Sequence, residues 1–122
     1  MDRFLALDQR GRTLAFEQAG VARGLSASSV EKDFWVCFML RELFAMPELG
    51  QHLTFKGGTS LSKAWGLIDR FSEDIDLTIE REYLGFVRDS GPESATSGKE
   101  RSRRLDRLKA ACRDHVAERI HP

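Results

Sequence analysis

Cysteine is scarce in this chain. Cys37 and Cys112 are its two thiols. They have no close spacing partner, and Cys37 falls in an apolar helical run, so a reduced compartment is expected. Nor is there an excess of either charge, since 19 basic residues stand against 19 acidic ones. Whole-chain electrostatics therefore give no general pull toward nucleic acid or membrane, and any such attraction must be local. No apolar run reaches the ~20 residues that a membrane span needs, and nothing resembles a secretion signal. The expected location is cytoplasmic, with no membrane partner. Internal repeats are also missing. With 122 residues the chain has room for one domain with a modest core.

Apolar spacing predicts a helix over Arg3 to Gly20, weakened in its middle by Gly11. A second helix is expected to begin at Ser28, where Glu31 three residues on completes a capping box, and to stop before Pro47. Leu53, Thr54 and Phe55 suit a short buried strand, and Leu61, Ala64, Trp65 and Ile68 recur at helical spacing. The stretch from Ser90 to Gly98 has the small, polar composition of a mobile loop. Helical spacing returns from Lys99 to Ile120, with Leu105, Leu108, Ala111, Cys112, Val116 and Ile120 able to share a face. Eight bases and four acids give this segment a local positive excess. It can touch RNA phosphates, although a solvated amphipathic face is the plainer alternative. Trp35, Trp65 and the eight phenylalanines read as core rather than base-stacking platforms. His52, His115 and His121 are too scattered to suggest ligands or a base.

Chemistry concentrates between Leu53 and Ile79. Gly57, Gly58, Thr59 and Ser60 form a turn where a strand feeds a helix N-terminus, and free N–H groups there favour phosphate. Glycines let a triphosphate approach the backbone, the two hydroxyls add donors, and Lys63 follows about one helical turn after Thr59. A turn with a helix cap is the structural alternative, and Lys63 reads equally well as a solvated lysine; Lys56 is weaker still. Downstream, Asp74 and Asp76 alternate with Ile75, Leu77 and Ile79, placing both carboxylates on one face of a strand. Two hard oxygen ligands side by side suit Mg²⁺ or Mn²⁺. A solvent-facing strand edge would look similar in isolation. Such a close pair of carboxylates needs a compensating cation, either a metal or a base such as Arg70, which can instead form a plain surface pair.

A glycine turn, a short helix and an acid-x-acid strand resemble the nucleotidyltransferase fold of the DNA polymerase β superfamily. FKGGTSLSK and RFSEDIDL, preceded by EKDFWV at Glu31 to Val36, resemble the AbiEii/AbiGii-type toxins of type IV toxin–antitoxin pairs. The resemblance spans about Ser28 to Glu80. It implies an α+β fold, a nucleotidyltransferase-like core with a short sheet packed against helices, incomplete relative to full-length members. The expected division is a core at 1–82, a mobile loop at 83–98 and a basic helix at 99–122, together an N-terminal portion of such a protein.

By the same resemblance, Asp74 and Asp76 are the catalytic and metal-holding pair. Gly57, Gly58, Thr59, Ser60 and Lys63 bind the triphosphate of an NTP. The implied acceptor is an RNA such as tRNA, the implied partner a cognate antitoxin, and the implied role growth arrest in phage defence. Superfamily members usually add a third carboxylate from a later strand, and none stands out here. Glu80 is four residues beyond Asp76, roughly 13 Å at strand rise. Asp89 and Glu93 fall in the loop, Asp106 and Asp114 in the helical segment. That shortfall keeps an alternative open: a catalytically inactive remnant, or a nucleotide- or antitoxin-binding module.

Overall fold

The computed structural model describes residues 1–57 and 74–120. The expected Leu61 to Ile68 helix, together with Arg70 and His121, lies outside the described residues. The architecture is α+β: helices α1 (Asp2–Leu5), α2 (Gln9–Arg23), α3 (Ala27–Ala45) and α4 (Gly98–His115), with strands β1 (Leu53–Lys56) and β2 (Asp76–Ile79). The two strands pair antiparallel. By contact density the chain forms two units, Met1–Met46 with Phe55–Asp76, and Pro47–Thr54 with Leu77–Pro122.

The first unit begins with a break that periodicity alone does not reveal. In place of one helix from Arg3 to Gly20 there are two, because Asp8 is extended and its side chain accepts from the Gly11 amide at 2.7 Å. Gly11 thus sits in the first turn of α2, not in a weak middle. Arg12 then donates to the carbonyls of Leu7 (3.0 Å) and Leu5 (2.7 Å), satisfying acceptors at the end of α1. Helix α2 runs past Gly20 to Arg23 and closes on Gly24 at φ 67°, with Leu25 N–H donating to Gly20 at 2.9 Å. This left-handed ending leaves Ser26 extended and ready to cap the next helix.

Ser26, not Ser28, starts α3, accepting from the Ser29 amide at 3.0 Å. The helix ends at Ala45, before Pro47 as expected, and Met46 is extended because a following proline disfavours helical backbone. Phe4, Phe16 and Phe34 bind the three helices together, with ring centroids 4.3 to 5.8 Å apart. Phe16, Val36 and Leu43 are buried there. Trp35 packs edge-on against Phe34 and Phe38 yet remains 38 % exposed, so it borders the core without filling it.

In the second unit Leu49 and Leu53 are buried around a 3-10 turn at Gly50–His52. Two further 3-10 turns follow, at Arg88–Ser90 and Pro92–Ser94. Helix α4 is capped by Ser97, which accepts from the Glu100 amide, while Glu100 reaches back to the Thr96 amide and hydroxyl. Arg104 donates to the carbonyls of Asp89 and Gly91, to Ser94 Oγ and to Glu100 Oε1. No described residue of α4 is buried, and Leu105 and Val116 of the expected apolar face stay exposed. A single π-type turn, Val116–Ile120, ends the described chain.

These contacts carry two measurable consequences. Phe16→Ala should destabilise the chain by about 3 kcal/mol in urea unfolding, since it removes the ring shared by three helices. For Glu100, the Thr96 hydroxyl and amide and then Arg104 hold the carboxyl at about 2, below its ordinary 4.5. A carboxyl lowered on folding contributes stability that is complete above its unfolded value and is lost as pH falls through the folded one. Melting curves of wild type and Glu100→Gln should therefore differ at neutral pH and converge as pH falls from 4.5 toward 2. A constant difference across that range would contradict the assignment.

Candidate functional site

The acidic segment keeps its alternation through both ends of β2. Asp74, Asp76, Thr78 and Glu80 are exposed, while Ile75, Leu77 and Ile79 are half-buried. The strand itself begins at Asp76, so Asp74 lies just before the ladder. Ile75, between the two carboxylates in sequence, lines an open apolar cavity of about 320 Å³ with Trp35, Val36 and Met39 of α3 and the Lys32 stem. Packing of that isoleucine leaves the neighbouring acids turned to solvent.

At the end of β1 the chain enters the glycine turn. Gly57 has φ 76°, a left-handed conformation that L-residues rarely adopt. It also lies against the second aspartate. A Cβ placed on Gly57 would overlap Asp76 Oδ2 and come within 2.8 Å of its Cγ and 3.0 Å of its Cβ. Two motifs distant in sequence are thereby in contact, and Asp76 makes no ion pair with any described residue. Lys56, the last residue of β1, is exposed. Gly58, Thr59, Ser60 and Lys63 lie outside the described residues.

The later acids lie elsewhere along the chain, several of them paired. Glu80 Oε2 lies 2.7 Å from His52 Nδ1. Both oxygens of Glu93 accept from Arg81 at 2.7 Å, and its own amide, then Arg81, holds its carboxyl below the usual range. Asp114 pairs with Arg113, and Asp106 lies along α4 among Lys99, Arg103 and Arg107. Among the described residues no group of three or more His, Cys, Asp or Glu side chains could hold a metal. A pair of carboxylates such as Asp74 and Asp76 suits a cation that keeps several waters and takes its other ligands from substrate phosphates. The open oxygens of Asp76 beside a glycine turn fit Mg²⁺ or Mn²⁺ on that basis.

One cluster was not visible in the sequence. The His52 ring stacks on Tyr83 at 4.5 Å, and His115 meets Tyr83 edge-on at 5.2 Å. Its formation depends on strand pairing and the return of α4, neither of which leaves a spacing signal.

The family model described as "Nucleotidyl transferase AbiEii toxin, Type IV TA system" matches residues 39–122. The chain belongs to this family. The matched stretch includes the glycine turn, both aspartates and the whole of α4, whereas the EKDFWV segment precedes it. No curated protein and no solved structure matches the chain. Among the described helices none is long and apolar enough to cross a membrane. Membership in AbiEii makes this a nucleotidyltransferase-type toxin fold of a toxin–antitoxin system.

Proposed function

We propose that the chain supplies the NTP- and metal-binding part of a nucleotidyltransferase toxin, moving a nucleotidyl group from an NTP to an RNA acceptor such as tRNA. The observation that carries this reading is the contact between the glycine turn and Asp76. The closeness of Gly57 to Asp76 supports a backbone that receives phosphate next to a carboxylate that holds a metal, as transfer from a triphosphate requires.

Asp74 and Asp76 hold Mg²⁺ or Mn²⁺. When bound, the cation neutralises triphosphate charge and polarises the α-phosphorus. Gly57 and Gly58 admit the phosphates to the backbone, Thr59 and Ser60 donate from their hydroxyls, and Lys63 adds positive charge. The attacking hydroxyl comes from the acceptor, and pyrophosphate leaves. The family's place in type IV toxin–antitoxin systems supports neutralisation by a cognate antitoxin; action in the cytoplasm and a part in phage defence belong to the same proposal. A second reading rests on the two-carboxylate count among the described residues: a module that binds nucleotide or antitoxin without turnover.

Transfer of label from an NTP to cellular RNA separates the two. Asp74→Ala and Asp76→Ala should each lower transfer by at least about 100-fold. Both side chains are exposed, so stability should stay within ~0.5 kcal/mol of wild type. Equal transfer by wild type and both variants would sink the assigned pair. Metal-dependent nucleotide binding with no transfer by wild type would instead favour the module.

A further inference from the structure

We infer that Gly57 is a positioning residue: the space left by its missing side chain is the seat of the Asp76 carboxylate. This rests on the transferase reading for its purpose, though not for its geometry. Two separate constraints act on position 57. One is its backbone at φ 76°, which alanine adopts only under strain. The other is steric, because a Cβ would overlap Asp76 Oδ2 and crowd Cγ at 2.8 Å. The colliding atoms are the functional end of the side chain, so relief requires the carboxylate itself to rotate away.

Asp76 is the first residue of β2, and its backbone is fixed by the ladder. Its side-chain torsions yield most readily. Any side chain at 57 therefore redirects the Asp76 oxygens while leaving the strand in place. With glycine present, the carboxylate lies against the backbone at Gly57, where the chain leaves β1. Lying in the phosphate turn and seating the carboxylate are distinct duties of the same residue.

The two constraints are separable by substitution. Asparagine tolerates left-handed backbone better than alanine does, yet it carries the same Cβ. If backbone strain alone mattered, Gly57→Asn would be close to wild type and Gly57→Ala worse. If the seat matters, both fail together.

The experiment combines urea unfolding with Mn²⁺ titration followed by electron paramagnetic resonance, on the full chain. Gly57→Asn is made in wild type and in Asp76→Ala, which removes the carboxylate and leaves a Cβ to Cβ approach of 3.0 Å. We expect the penalty of Gly57→Asn on the unfolding constant to shrink about tenfold in the Asp76→Ala background. Gly57→Asn and Gly57→Ala should each weaken Mn²⁺ binding about tenfold in the Asp76 protein. Equal unfolding penalties in the two backgrounds would overturn the seat, and wild-type Mn²⁺ affinity in both variants would overturn its positioning role. Should Gly57→Asn fail to fold, a folded double variant supports the inference and an unfolded one overturns it. Wild type that binds no Mn²⁺, with or without NTP, would defeat the metal reading of Asp74 and Asp76. The unfolding cycle would still decide whether Gly57 seats the carboxylate.

Discussion

Antiparallel pairing of two four-residue strands is the constraint on which the chemistry depends. Glu80 N–H donates to the His52 carbonyl at 2.9 Å, and that register sets Asp76 opposite Lys56 at the other end of the ladder. The turn that leaves β1 is consequently delivered to the first carboxylate of β2. A one-residue slip would send the acids to the buried face and Ile75, Leu77 and Ile79 to solvent. The aliphatic alternation thus does more than fill space: it fixes which residues meet at the turn.

Local chemistry was largely legible in the chain. Pro47 stops α3 because proline disallows a helical predecessor, and alternation around Asp74 and Asp76 marks a half-buried strand with its acids outward. Helix starts were harder to place. Ser28 and Ser26 are both competent caps, and only the left-handed ending at Gly24 decides for Ser26. The break at Asp8 was hidden for a similar reason, since Arg12 satisfies the α1 carbonyls from the next helix and no periodicity encodes that.

Of the candidate site, the residue types and their order were readable, but not the contact. Gly57 suggested a turn from its place after the strand, and its positive φ agrees with that reading. Its approach to Asp76 arises from strand register, which a single sequence specifies only through the face it buries. The His52, Tyr83 and His115 stack is wholly tertiary, which is why scattered histidines gave no warning of it.

Arg104 adds a different kind of ordering. Its guanidinium collects carbonyls from Asp89 and Gly91 and the Ser94 hydroxyl, so both 3-10 turns share one donor located about two helical turns inside α4. The turns themselves are too short to persist alone. The Ser94 hydroxyl reaches the same Asp89 and Gly91 carbonyls, at 3.0 and 3.1 Å, so Arg104 reinforces turns that already hold each other. Two turns are thereby fastened by one side chain of a helix that follows them in sequence.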